Sequence, residues 1–329
     1  MKFTVAVIYG GEGHEHNISV LSAKNLISMI DRSAYDIIPV YITERGEWFI
    51  ESEGEKISTF PAFLNGKGGF FKGGKILKVD LAVPILHGEL GEDGVIAGAL
   101  RAAHIKAVGC PTLAGALTSD KIASKLIAEA LGSPTAKWVF ADCERCDGAI
   151  AKAEEKLSYP MFIKPSSLGS SIGISRVSDR EEFCKAYKKA ALLSERILIE
   201  EEIPFERELE CAYLFSREKH FFEIGEICLD GKFYDFERKY EKSTETSHFS
   251  GSVEIKEKVI AYSDALRAAI GIRGLSRLDF FLTESGEVYF NEINALPGMT
   301  KTSLYPLLTE KMGFSKGEFI NNLIREALI

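Results

Sequence analysis

Apolar runs of strand length alternate with segments of helical period from the first residues onward. FTVAVIYGG (3–11) is apolar at consecutive positions and ends in a glycine pair, so it reads as a buried strand. ISVLSAKNLISMI (18–30) repeats apolar positions at helical spacing and reads as a helix, while DIIPVYIT and KVDLAVPIL read as two more strands. Strands of this kind belong in a parallel sheet covered by helices, where ligands sit beyond the strands' carboxyl ends. Gly10-Gly11 and His87-Gly88 lie at two such ends. The stretch from Phe60 to Lys78 is rich in Gly and Lys without a clear period, which predicts a loop or a small hairpin insertion.

Further along, SDKIASKLIAEAL (119–131) predicts a helix, with Ser119 placed to cap its start and Gly132 and Pro134 placed to stop it. YPMFIKPSSLGSSIGISRV (159–177) reads as strand, loop and strand between helices near 147–157 and 179–193, and RILIEEEI follows as a strand. From Phe205 come strands through ELECAYLF and HFFEIGEICL, an Asp230-Gly231 turn and a charged loop from Glu237 to Gly251. A helix near 254–270 leads to the paired strands LSRLDFFL and EVYFNEIN, and a last helix follows Ser315. The pattern divides the chain into an N-terminal α/β parallel-sheet unit (1–106) and two α+β units (107–204 and 205–329).

Composition narrows the function classes. The 329 residues suit two or three compact units of about 100–200 residues each. With 46% hydrophobic and 27% charged residues the chain can build its own cores. A net charge of −8 argues against a nucleic-acid partner held by phosphate neutralisation, so a bound phosphate must meet locally placed cations. The six cysteines include one C-x-x-C pair, Cys143 and Cys146, without a second pair at zinc-ligand spacing. Met1–Tyr9 is too short for a secretory signal, and no run of about 18 apolar residues occurs. A cytoplasmic protein with no membrane association is expected.

Two segments carry candidate chemistry. In KPSSLGSSIG (164–173) glycines permit close backbone approach and Lys164 supplies a cation, as a phosphate cradle between two strands needs. On its own the segment reads equally well as a surface hairpin rich in Gly and Ser. In RLDFF (277–281) and NEIN (291–294), Asp279, Glu292 and Asn294 offer the hard oxygens that Mg²⁺ prefers. Residues two apart on a strand share a face, so Glu292 joins Asn294 and Arg277 joins Asp279. A solvent-facing amphipathic hairpin would give the same alternation. His14 and His16 flank Glu15 without H-E-x-x-H spacing and read as hydrogen-bonding or solvated histidines.

Taken together, GGEGHEHNIS (10–19), HGELGEDG (87–94), SDK (119–121), KPSSLGSSIG, DFERKY (235–240), RLD and NEINALPGMTKTSLYP (291–306) resemble, in order, the motifs of the D-alanine–D-alanine ligases of the ATP-grasp superfamily. The resemblance runs through nearly the whole chain. It implies a three-domain ATP-grasp fold whose two α+β domains clamp ATP, and a ligase joining two D-alanines through an acyl phosphate for peptidoglycan precursors. It implies that Lys121, Lys164, Ser171 and Lys239 hold ATP, with Glu200 to Ile203 as the adenine hinge and Glu208 on the ribose. Two Mg²⁺ (or Mn²⁺) would sit on Asp279, Glu292 and Asn294. Arg277 and the Gly298 amide would stabilise the oxyanion, and Glu15 would pair with the ammonium of the first D-alanine. Ser170 and Tyr240 would close the site beside Glu15, His87 would orient the first substrate, and Ser303 and Leu304 would hold the second carboxylate. A homodimer is expected by resemblance only.

Two positions depart from the family pattern: residue 13 is Gly where Ser is common, and EEEIPFERELE is one residue longer than the usual hinge. The competing expectations are a D-alanine–D-serine ligase and a nucleotide-binding module without turnover. The Lys239-Tyr240 pair tells against D-lactate as second substrate.

Overall fold

The computed structural model describes residues 2–52, 54–64, 67–143, 146–227, 246–300, 303–315 and 317–329. The N-terminal part forms β1 (Phe3–Gly10), α1 (His16–Met29), β2 (Tyr35–Ile42), β3 (Trp48–Ser52), β4 (Glu55–Ser58), β5 (Pro61–Leu64), β6 (Lys67–Lys72), β7 (Lys75–Lys78), β8 (Leu81–Ile85) and α2 (Val95–Ala102). β1 runs parallel to both β2 and β8, in the sheet order β4-β3-β2-β1-β8. The expected parallel core is therefore present, and β3 and β4 extend it antiparallel. Phe60–Lys78 folds as an antiparallel three-stranded sheet, β5-β6-β7, more than the loop or hairpin its composition suggested. The glycines that hid its strands sit at close backbone crossings: a Cβ on Gly69 would lie 2.2 Å from the Leu77 carbonyl oxygen.

The next segment gives α3 (Thr112–Ser119), α4 (Lys121–Ala130), β9 (Trp138–Asp142), α5 (Cys146–Lys156), β10 (Met161–Pro165), β11 (Ser175–Val177), α6 (Arg180–Ala191) and β12 (Arg196–Glu201). Its strands form an antiparallel sheet in the order β11-β10-β12-β9. Ser119 does not cap the helix that follows it. It closes α3, and Asp120 caps α4, its carboxylate accepting from the Ile122 and Ala123 amides at 2.9 Å.

The remainder gives β13 (Arg207–Leu214), β14 (Phe221–Ile227), β15 (Thr246–His248), α7 (Val253–Ile270), β16 (Leu275–Leu282), β17 (Val288–Asn294), α8 (Leu304–Lys311) and α9 (Glu318–Leu328). The sheet order is β15-β14-β13-β16-β17, all antiparallel. One face buries Leu209, Cys211, Leu278 and Phe280 against Val259 and Leu266 of α7 and against Ala114 and Ala128 of α3 and α4. The helix pair 112–130 thus shares its core with the strands that begin at Arg207. At one end of the other face, Ala212 and Leu214 join β1, β8 and α1 in a core closed by Phe319, Ile320, Leu323 and Ile324 of α9. Among the described residues, no helix is long and apolar enough to cross a membrane.

A β-bulge decides what β17 presents. Asp279 pairs with Glu292 while Phe280 pairs with Phe290, leaving Asn291 as an extra residue. Strict alternation from the fully buried Phe290 would turn Glu292 and Asn294 into the core and Ile293 out of it. With the extra residue Ile293 is buried beside Phe290, and Glu292 and Asn294 lie on the face of Asp279.

Phe290 anchors that arrangement. Phe290→Ala is expected to cost about 3–5 kcal/mol, read as a lower midpoint in urea denaturation.

Candidate active site

A cleft lies between β10 and β12 on one side and β13, β16 and β17 on the other. Its polar lining includes Lys121, Lys164, Ser171, Glu200, Glu208 and Glu292, and Ile203 lines it as well. These residues come from five separate segments of the sequence, and the fold brings them together. Phe162, Leu168, Ile174, Phe205 and Phe281 supply apolar walls, with the rings of Phe205 and Phe281 stacked at 4.4 Å. A second hollow adjoins it, sharing Lys121, Leu168 and Glu292, and reaches Gly88, Glu92 and Asn294.

The KPSSLGSSIG segment is a loop between β10 and β11, as its sequence suggests. Ser170 and Ser171 both take left-handed backbone conformations, with φ of 51° and 59°. Such positions are sparsely populated by non-glycine residues and cluster at ligand sites. The loop is tied down at both ends of the Lys121 residue: its amide donates to the Ser166 carbonyl at 2.8 Å and its ammonium to the Leu168 carbonyl. Lys121 Nζ also stands 3.6 Å from Glu292. Across the loop, the Ser170 hydroxyl donates to Glu15, which starts α1. Gly88, beside Glu15, takes a left-handed backbone conformation with φ of 70°, which favours glycine.

Glu200 is buried in the cleft wall and faces two ammonium groups. Lys125 Nζ lies 2.5 Å from Oε1, and Lys164 pairs with Oε2. Burial alone would raise the carboxyl pKa, but the charges of Lys125 and then Lys164 overturn it and hold it at about 2. Burial likewise pulls the Lys125 pKa below its ordinary value, against the opposing pull of Glu200. Lys125 was not singled out from the sequence. Its signal was there: it lies one helical turn after Lys121, on the buried face of α4.

A second buried cluster sits on β16. Asp279, 1% exposed, accepts two bonds of 2.7 Å from Arg277 and one of 3.0 Å from the Asn294 amide. Glu210 of β13 approaches Arg277 at 3.3 Å. Burial opposes the charge on Arg277, and Asp279 and Glu210 more than restore it. Among the described residues, no three His, Cys, Asp or Glu side chains gather as a metal cage. Asp279, Glu292 and Asn294 nevertheless share one face, and two carboxylates with an amide oxygen make a hard donor set that fits Mg²⁺.

His87 is buried, with Nδ1 3.2 Å from the Leu296 carbonyl and Nε2 3.1 Å from the Ser22 hydroxyl. Burial opposes its charge, yet Glu92, 3.6 Å away, and Glu15 leave its pKa raised. Leu296 opens the loop that carries Gly298, and Asn25 of α1 donates to the Met299 carbonyl at 2.7 Å in the same loop. A Cβ on Gly298 would lie 2.9 Å from the Ser303 hydroxyl. Ser303 stands at the start of α8, whereas the Leu304 side chain is buried in the core, so Leu304 has only its amide to offer a ligand. His16 bonds to the Gly11 carbonyl and to Tyr41, a structural role. Cys146 lies 3.3 Å from Cys184 rather than paired with Cys143. Lys239 and Tyr240 lie outside the described residues.

Comparison with known proteins places this geometry. Residues 4–110 match the family described as D-ala D-ala ligase N-terminus, and residues 127–325 the one described as D-ala D-ala ligase C-terminus. The chain belongs to the D-alanine–D-alanine ligase family and has the ATP-grasp fold. It is 34% identical to a D-alanine–D-alanine ligase of Deinococcus radiodurans, covering 100% of this chain and 99% of the relative. It is 36% identical to one of Acetivibrio thermocellus, with 98% and 95% covered. Among solved structures, a D-Ala:D-Ser ligase from Enterococcus faecalis is similar with a TM-score of 0.90, 31% identity and 100% of both chains covered. A D-alanine–D-alanine ligase from Coxiella burnetii gives 0.88 at 26% identity, covering 99% and 94%.

The Glu200 pairing has a pH signature. Its pKa is depressed from the ordinary 4.5 to about 2 in the folded protein, so its stabilisation is complete above about 4.5 and is lost as pH falls toward 2. Replacing it by Gln should flatten the acid limb of stability in that window, as followed by denaturation at stepped pH.

Proposed function

We propose that the chain uses ATP to join two D-alanines into D-alanyl-D-alanine, with release of ADP and phosphate. The observation that carries this reading is the convergence of Lys121, Lys164, Ser171, Glu200, Ile203, Glu208 and Glu292 on one cleft, in a chain of this family. In this reading the three units 1–106, 107–204 and 205–329 surround the reacting groups. The apolar walls take the adenine, the hinge of Glu200 to Ile203 borders it, and Glu208 holds the ribose. Lys121, Lys164 and the Ser170-Ser171 backbone neutralise the triphosphate in a site shielded from water.

The carboxylate of the first D-alanine, its ammonium paired with Glu15 and its approach guided by His87, attacks the γ-phosphate. The resulting acyl phosphate is then attacked by the amine of the second amino acid. Mg²⁺ or Mn²⁺ held by Asp279, Glu292 and Asn294 would offset the charge that develops on the phosphates. Arg277 and the Gly298 amide donate to the oxyanion of the tetrahedral intermediate, and Ser303 with the Leu304 amide holds the second carboxylate. Free thiols at Cys110, Cys143, Cys146, Cys184 and Cys211 favour a cytoplasmic setting, and a homodimer is the expected assembly.

A second reading, D-serine as the second substrate, is favoured by the structural likeness to a D-Ala:D-Ser ligase. Both are tested by ADP release from ATP and Mg²⁺ with D-alanine, L-alanine, or D-alanine plus D-serine, the product being identified by mass. Turnover with D-alanine alone, yielding the dipeptide, is the expected result. Silence, or equal turnover with L-alanine, overturns the substrate assignment. Arg277→Gln is expected to lower kcat by about 10²–10³ or more in the same assay, since loss of one oxyanion donor has that effect.

A further inference from the structure

Lys125 is a buried cation for which the mechanism above has no use. It is 1% exposed, and of the three charged groups at this point only Lys164 and Glu200 line the cleft. The ammonium groups of Lys125 and Lys164 flank opposite oxygens of one carboxylate, so two positive charges share a single negative one. A buried carboxylate stripped of its counterion is strongly unfavourable, which makes it important that one of the two cations stays. The two differ in freedom. Lys125 leaves a helix face packed among Ile122, Ser124 and Ala128, whereas Lys164 stands at the cleft surface with its Nζ 5.7 Å from the Phe162 ring centre.

We propose that Lys125 is a positioning residue for nucleotide binding: it is the standing counterion of Glu200, which releases Lys164 to turn its ammonium to the phosphates of ATP. The inference rests on the assignment of this cleft to ATP. With Lys125 in place, Glu200 keeps a close positive charge at 2.5 Å when Lys164 swings away. Without it, Lys164 is the only ammonium left on Glu200 among the described residues and is retained there, because leaving would strand a buried negative charge. The low pKa of Glu200 agrees with this arrangement, since burial opposes its charge and Lys125 is the larger of the two influences that restore it.

The test is a double-mutant cycle on ATP affinity, measured by calorimetry on the full chain with Mg²⁺. K125M removes the ammonium and keeps the aliphatic stem, and E200Q removes the charge that holds Lys164. K125M alone is expected to weaken ATP binding at least tenfold, with kcat at saturating ATP and the KM for D-alanine changed less than threefold. In the E200Q background the same substitution is expected to change ATP affinity less than twofold, since no carboxylate remains to retain Lys164. Should K125M fail to fold, K125Q, which keeps a hydrogen-bond donor to Glu200 without the charge, carries the same expectation. Equal losses in both backgrounds would mean that Lys125 acts through packing, and would overturn the inference. A wild-type chain that binds no ATP would overturn the functional reading and this inference with it.

Discussion

Every part of the cleft depends on keeping negative charge inside the protein. Asp279 and Glu200 are carboxylates at a depth where an unpaired charge is strongly disfavoured. Each is tolerated because cations are built in beside it: Arg277 clamps both oxygens of Asp279, and Lys125 and Lys164 divide those of Glu200. Of these cations Lys164 lines the cleft, where it would meet the phosphates of the proposed ligand, although the chain as a whole is acidic at −8. Burial of charge and the proposed function would thus meet in one ion pair, Lys164 with Glu200.

Helix α4 joins the two sheets that face each other across the cleft. Its Ala128 packs in the core beneath β13 and β16, while Lys125 reaches Glu200 on β12. At its start Asp120 caps the helix and pairs with Arg196, and Lys121 bonds to Leu168 of the loop between β10 and β11 and approaches Glu292 of β17. One short helix thus sets the relation between the loop that would take phosphates and the strand that would take metal. From the other direction, α1 holds Glu15 against Ser170 and uses Asn25 to hold the loop of Gly298.

Much of this was legible in the sequence where local pattern and tertiary role agree. LSRLDFFL forms β16 at its expected bounds, with Leu278, Phe280 and Leu282 recurring every second residue on the face that enters the core. β1, β2 and β8 follow from runs apolar on both sides, and α6 and α7 lie where helices were expected near 179–193 and 254–270. What escaped is set by distant contacts. Gly68 and Gly69 look like loop residues until the neighbouring backbones are seen against them. α3 is short and weakly periodic, and Ser119 looked like a cap because only the fold shows another helix ending on it. In the site, Lys121, Lys164, Glu200 and Glu292 were legible through the family motifs, whereas Lys125 and Asn25 matter through partners 75 and 274 residues away.

The extra residue in β17 makes the acidic patch a matter of parity. Asn291 is the odd step that exchanges the two faces of the strand after Phe290, so the order of residues alone does not say which side chains meet Asp279. Losing or gaining one residue between Phe290 and Glu292 would leave the composition of the strand almost untouched, yet place Ile293 at the cleft and two polar groups in the core. A change of chain length at this edge of the site therefore preserves its two faces only when it comes two residues at a time.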